Sequence, residues 1–600
     1  MSILCNRPYR GRLLHYRRRP FMCKKIKSSL FIFLLALSGT ISAENFVKFD
    51  RPPNVPGFLG CVSNEFIVVL KEDAPGLLPR LSPSGTVLTG IDKFDVLGER
   101  FKVNRIKKQF PIARNNVSAA STRQKLSRYY KIRFQMGTLG QAMEAYRNHS
   151  LVERVEPIGI HTVCLEADDP YYQDSSDPEF PYSQWHYWDS NGIKANRAWD
   201  ITTGGPNVAA AVLDTGVRYF HLDLGGNNPL WGPDNPAGGG NIWINPAEIP
   251  ANGIDDDGNG YVDDTVGWDF VASAGGPGVK CIDQDCGNVD NNPDDGDGHG
   301  THVAGTISAI TNNARAVAGV AGGFSNGTTD GTGNGVKIIP LRIGYHARYQ
   351  GEITGVVRMD WAAEAMTYVA DLADANNPNR VNVAAINCSW SSSDTGGIDA
   401  AVDNLLAQDV MVIHSAGNSN SDSPDYLGGK DGVMNVAATD MYGQGASFTN
   451  YGSWVDLAAP GVDIVSTYAE PDDPDMNNHY IALLSGTSMA APHVAAVAAL
   501  LESFGHTLSG PDKFAIMVDT TAAYDDSRYL GSGILDAENA LGAAAKVLAD
   551  FSGDGLVDFK DLRTLSNYWL SDEPSVDIAP PDGDGIIDLL DFAQFAQGWD

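Results

Sequence analysis

Three short segments carry side chains whose types and order could do nucleophilic chemistry. Val212-Leu-Asp-Thr-Gly216 is an apolar run that ends on Asp214. Asp297-Gly-His-Gly-Thr-His-Val-Ala-Gly305 sets His299 between two glycines at the entry to a helical pattern. Ser485-Gly-Thr-Ser-Met-Ala-Ala-Pro-His493 sets Ser488 after a glycine turn, where an apolar helix begins. A serine hydroxyl is a weak nucleophile until a base takes its proton. Histidine titrates where it can take that proton and later return it. A carboxylate beside the ring fixes its tautomer and stabilises its cationic form. A helix start adds unpaired N–H groups and a dipole that favour negative charge developing at the serine. Each segment alone has a plainer reading as a turn, a loop or a helix cap. Their order, each in a fitting strand or helix context, points to a serine nucleophile.

The elements that must position these groups are legible around them. Strand-like apolar runs recur at Val208–Leu213, Val336–Leu341, Val381–Ile386, Val410–Ile413 and Val433–Ala438. Helical patterns separate several of them, at Val356–Leu372 and Gly397–Ala407. Continuous apolar strands alternating with helices imply a parallel sheet covered on both faces. In such folds sites gather beyond the carboxyl ends of the strands.

The three motifs and their order resemble the subtilases. The resemblance implies an α/β, three-layer subtilisin-like fold with a mainly parallel sheet. It implies a triad of Asp214, His299 and Ser488, and an endopeptidase acting through an acyl-enzyme. In His414-Ser-Ala-Gly-Asn-Ser419 the matching Asn418 would donate to the oxyanion. Ile386-Asn-Cys-Ser-Trp-Ser-Ser-Ser393 is similar to the family's cleft strand, which makes Ser389, Trp390 and Ser391, with Ala416 and Gly417, the expected substrate-binding residues. The family has glycines where Ser391 and Ser392 stand, so the first specificity pocket departs from the pattern. His302 and His493 read as structural. A second Asp-Thr-Gly at Asp394–Gly396 raises the pepsin-like pattern, but it follows three serines rather than an apolar strand and leaves the His and Ser motifs unexplained. The alternative of another class is a non-catalytic, calcium-dependent surface-binding protein on a protease fold.

Calcium is the expected cofactor. Asp255, Asp257, Asn259 and Asp263 offer oxygens in an EF-hand-like pattern with Gly260 at the sixth position, although Val266 stands at the twelfth. By the resemblance, Asp223 and Asn313 fall where subtilases place calcium ligands. Near the C-terminus two Asp/Gly segments repeat. Asp550, Ser552, Asp554, Asp558 and Asp561 fill loop positions one, three, five, nine and twelve. Asp582, Asp584, Asp588 and Asp591 form the second loop, with Pro580 at its first position. This tail resembles a dockerin, a small helical calcium module that binds a cohesin.

Charge is unevenly spread. Residues 1–165 hold 27 Lys+Arg against 11 Asp+Glu, and residues 166–600 hold 16 against 63. So acidic a body repels nucleic acid phosphates and anionic lipid, and it supplies a physical reason for a basic N-terminal module to dock. Lys24, Lys25 and Lys27 precede an uncharged run, Ser28–Ala43, which reads as a secretory signal with cleavage after Ala43 and a start at Met1 or Met22. No other stretch is long and apolar enough to span a bilayer. The expected organisation is a signal at 1–43, an α+β inhibitory propeptide at 44–167, the peptidase domain at 168–547 and a dockerin-like module at 548–600, the whole secreted. An oxidising compartment favours a local Cys281–Cys286 bridge, leaves Cys61 and Cys164 able to pair, and fits Cys388 as a buried thiol.

Overall fold

The computed structural model describes most of the chain from Phe58 onward. Outside the described residues lie 1–13, 16–45, 48–57, 72–73, 84, 111–126, 162–164, 173–181, 227–231, 237–238, 277, 284, 330–331, 471–479, 506–507, 553–555, 558, 569–575, 577, 579–586, 588–590, 593–594 and 596–600. The expected signal run and Cys164 fall among these. The chain forms two compact units, one spanning Phe21–Cys164 and a larger one that includes Leu165–Asp600.

The smaller unit is α+β. Its long strand Phe58–Leu70 pairs antiparallel with both Tyr129–Arg133 and Val152–His161. Alternate residues Phe66, Val68 and Leu70 enter a core with Phe94, Phe101 and Tyr146 from two helices, Asp92–Phe101 and Leu139–Arg147. The second helix begins at Thr138, whose side chain and Gln141 cap one another's backbone.

In the larger unit seven strands make one parallel sheet. They are β1 (Ala209–Asp214), β2 (Trp268–Asp269), β3 (Lys337–Arg342), β4 (Val383–Cys388), β5 (Met411–Ser415), β6 (Val433–Thr439) and β7 (Leu457–Pro460). Their order is β2-β3-β1-β4-β5-β6-β7, so connections leave β1 in both directions and Asp214 ends the strand at that switch. The helices of interest are α1 (His299–Ser308), α2 (Met359–Ala373), α3 (Ile398–Ala407) and α4 (Thr487–Phe504). Ala210 and Val212 pack into a core with α1 and α4, while Ala209, Ala211 and Leu213 pack into another with α2 and α3. The result is the three-layer α/β fold expected. The two-residue strand period also carries Asp214 to the face that holds α1 and α4. From Met489 to Leu501 every residue of α4 is buried and all but His493 are apolar, with Ser488 half-buried at its start. A helix apolar all round has to lie inside the molecule.

One element differs from expectation. The helix expected from Val356 begins at Met359, because Glu352–Val357 is a strand. It pairs antiparallel with Gly344–Tyr349, which pairs in turn with Val279–Cys281. Hairpin pairing wins over helical periodicity there. The Cys281–Cys286 bridge is formed, and Cys388 is a free, buried cysteine whose thiol burial pushes up.

Candidate active site

Asp214 is 2% exposed and ends β1. Its Oδ1 accepts from the Thr215 N–H at 2.7 Å and meets His299 Nδ1 at 2.8 Å. His299 opens α1 after Gly298. The close approach of α1 to β1 requires glycine at position 300, where a Cβ would come within 2.1 Å of Gly216 O and 2.9 Å of the Asp214 Cβ. Burial alone would push the imidazole down. The Asp214 carboxylate, through charge and hydrogen bond, followed by Asp297 and Asp295, pushes it up to about 9 from its ordinary 6.5. Folding thus favours the protonated ring. That contribution to stability is complete below 6.5 and is lost as pH rises through about 9, where the ring becomes free to act as a base.

Ser488 is half-buried in the first turn of α4. Its hydroxyl donates to Ser389 O at 3.1 Å rather than to His299. Apo geometry of this kind tightens when substrate is bound. Ser389 Oγ donates back to Ser488 O at 2.9 Å, which ties the end of β4 to the start of α4. Thr487, unmarked by the sequence reading although it sits inside the motif, orients Asn418. Its N–H and its hydroxyl donate to Asn418 Oδ1 at 2.9 and 3.0 Å. The amide oxygen being held, Asn418 Nδ2 is left to serve the exposed side of the site. A Cβ at Gly486 would lie 3.5 Å from Asn418 Nδ2 and 3.7 Å from Ser488 N. Both nitrogens therefore border the space that the absent side chain leaves, where an oxyanion would need donors.

The cleft residues divide. Ser389 is held as above, Ser391 is exposed, and Ala416 and Gly417 follow β5, with the Gly417 N–H donating to Thr487 Oγ1 at 3.0 Å. Trp390 is a correction. Its side chain is buried in the α2/α3 core, and its indole N–H donates to Leu213 O at 2.7 Å. Trp390 lies two residues past the end of β4, in a bend that turns its indole inward. Ser392 takes structural partners: its N–H donates to Asp425 Oδ2 at 2.7 Å and its hydroxyl accepts from the Leu427 N–H at 2.7 Å. Asp425 also meets the buried His414 at 2.9 Å. His302 and His493 are fully buried, with ring nitrogens on backbone carbonyls, and the exposed Asp394 lies in a loop.

Acidic oxygens that suit a cation gather in several places, among them Asp269 with Asp285 and Asp290. Asp223 and Asn313, each 1% exposed, meet with Asn313 Nδ2 donating to Asp223 Oδ1 at 2.8 Å. Asp169, which no local pattern marks, accepts from the N–H groups of Asn312 and Asn313 at 2.7 and 3.1 Å. Burial pushes Asp223 up to about 6, and burial plus the Asp223 charge raises Asp169 well above the carboxylate range. Two buried carboxylates in one neighbourhood form the arrangement a divalent cation relieves. In the Asp255 loop the expected set is rearranged. Asp257 gathers with Glu248 and Asp264, and Asn259 Nδ2 bonds both aspartates. Asp255 instead accepts from the N–H groups of Gly258, Asn259 and Gly260, and Asp263 from those of Asn252 and Gly253. The loop's path turns these two carboxylates onto backbone amides, which residue spacing alone does not reveal. Burial raises Asp264 to about 7.

In the tail, Asp561 and Asp591 are fully buried around a small core of Val557, Leu565, Val576, Ile587 and Phe595. Asp561 accepts from the Ser552 N–H at 2.8 Å, and the Ser552 hydroxyl donates to Asp550 at 3.2 Å. Asp554, Asp558, Asp582, Asp584 and Asp588 lie outside the described residues.

Residues 205–542 match the Subtilase family. The chain is 33% identical over 435 residues to an extracellular basic protease of Dichelobacter nodosus, covering 67% of this chain and 60% of that one. It is 30% identical over 372 residues to a thermophilic serine proteinase of Bacillus sp. strain AK1, covering 62% and 68%. It is 30% identical over 332 residues to thermitase of Thermoactinomyces vulgaris, covering 55% and 88%.

Proposed function

Because this chain belongs to the subtilase family, we propose that it is a secreted serine endopeptidase acting through an acyl-enzyme on Ser488. The observation that carries the proposal is the Asp214–His299 pair, with the Ser488 and Asn418 nitrogens bordering one space beside Gly486. Ser488 Oγ attacks the scissile carbonyl while His299 Nε2 takes its proton. Asn418 Nδ2 and the Ser488 N–H hold the resulting oxyanion. The tetrahedral centre collapses, the C–N bond breaks, and His299 returns the proton to the leaving amine. Water then repeats the sequence on the ester. A fluorophosphonate probe is expected to label Ser488, with casein cleavage lost in step. Absence of labelling in the mature protein overturns the proposal and favours a binding protein on a dead protease fold.

The basic module ending near Cys164 is read as an inhibitory propeptide removed by cutting between Cys164 and Asp169, and the tail as a dockerin-like module for a cohesin-type partner. Secretion is supported by relatives named as extracellular proteases, and among the described residues no helix is long and apolar enough to cross a membrane.

Calcium at the Asp169–Asp223–Asn313 group would neutralise buried charge and pin the loop after α1. A cation held at a hundred times its Kd stabilises the folded state by about 2.7 kcal/mol. Excess EGTA is therefore expected to lower the melting temperature by about 5 °C. An unchanged melting temperature and unchanged activity would show that the oxygens serve only as a polar network.

A further inference from the structure

Two residues before His299 stands a carboxylate with a partner of its own. Asp297 Oδ2 meets His346 Nδ1 at 2.7 Å, the side chains being 14% and 11% exposed. His346 lies on Gly344–Tyr349, the first strand of the hairpin that displaced the expected helix start. The second strand closes over the same group, since a Cβ at Gly355 would lie 3.4 Å from both Asp297 oxygens. Both ends of the contact are fixed independently. Asp295 Oδ1 accepts from the N–H groups of Asp297 and Gly298 at 2.9 and 2.8 Å, and the Tyr468 hydroxyl donates to Asp297 O at 3.2 Å. On the other side the His346 N–H donates to Asp283 Oδ2 at 3.0 Å, inside the loop closed by Cys281–Cys286. Asp283 is anchored by the buried Arg342 of β3 at 3.1 Å.

We propose that His346 is a positioning residue for His299: by holding the Asp297 carboxylate and drawing off part of its charge, it sets the pH at which His299 becomes free to accept the Ser488 proton. This rests on the reading of His299 as the general base. Negative charge reaches the imidazole from Asp214, by direct contact, and through space from Asp297 and Asp295. The first is part of the triad. The second, left bare, would hold the ring protonated further into alkali and leave less base at neutral pH. An N–H donated by His346 spreads the Asp297 charge, and a protonated His346 cancels it. Among the described residues, the groups facing this pair include Asp283 with Arg342 behind it on the disulfide side, and Asp295, Tyr468 and His299 on the catalytic side. The arrangement links the bridged loop to the catalytic histidine through two side chains.

The test is the pH dependence of kcat/KM on fluorescent casein for the mature wild type, H346Q, D297N and the double variant. H346Q is expected to move the acid-side midpoint up by about half to one pH unit, and D297N to move it down by about as much. The double variant is expected to follow D297N, because without the Asp297 charge His346 has nothing to modulate. A purely structural role would lower the plateau or the yield and leave the midpoint in place. A coincident midpoint in H346Q, or a double variant that departs from D297N, overturns the proposal. If H346Q fails to mature, D297N decides alone, and a midpoint that does not fall overturns it. An active H299A enzyme would instead overturn the proposed function, so the two failures are distinguishable.

Discussion

Ser488→Ala is expected to reduce casein hydrolysis by about six orders of magnitude in kcat, the general scale for loss of a triad nucleophile, and to leave the precursor uncut near Cys164. The substitution is structurally mild. The Ser488 hydroxyl donates to a single carbonyl, Ser389 O, and the reciprocal bond from Ser389 Oγ goes to the Ser488 backbone, which alanine keeps. The α4 start, Thr487 and the Asn418 orientation should all persist. An unchanged melting temperature alongside the lost activity separates chemistry from folding. Full casein cleavage by this variant, measured beside the wild type, would exclude Ser488 as the nucleophile.

Asp214→Asn is expected to lower kcat by about four orders of magnitude with little effect on KM. Asp214 Oδ1 takes both Thr215 N–H and His299 Nδ1, while Oδ2 is buried without a hydrogen-bond partner. An asparagine that keeps its oxygen in the Oδ1 position buries an unpaired NH2 where Oδ2 was, and loses the charge that supports the imidazolium. Turned the other way, its NH2 faces the Thr215 N–H and donates to Nδ1, fixing the tautomer that cannot accept from serine. Both arrangements disable the base. The acid-side midpoint should fall as well, because the largest influence raising His299 is gone. A variant retaining more than about a tenth of wild-type kcat would show that Asp214 does not orient the base.

The proposed triad was legible because its information is local. A strand that ends on Asp, a glycine-flanked His and a Ser at a helix start each declare their element, and the two-residue and helical periods place them on one side of the sheet. The Trp390 side chain was not legible, because it lies beyond the end of β4, where no strand period tells cleft from core. The hairpin at 344–357 was hidden by Val356 and Val357, which suit either a helix start or a strand. With it went His346, whose link to Asp297 joins positions 49 residues apart. Among the oxygen clusters, the number of carboxylates was visible but their aim was not. Backbone amides claim Asp255 and Asp263, while Glu248, Asp264 and Asp169 arrive by the path of the loops.

The burial of α4 has a consequence for how the molecule fails. Its first turn carries the proposed nucleophile, and the rest of its length lies against five strands of the sheet with almost no exposed surface. Most enzymes keep their reactive groups on segments that breathe. Here the serine stands at the head of a buried helix, the kind of segment expected to exchange its amide hydrogens last. Heat, acid or denaturant cannot loosen the nucleophile without dismantling the layer beneath it. Inactivation and global unfolding should therefore coincide, so that the protein works at full rate up to the edge of its stability and then loses activity all at once.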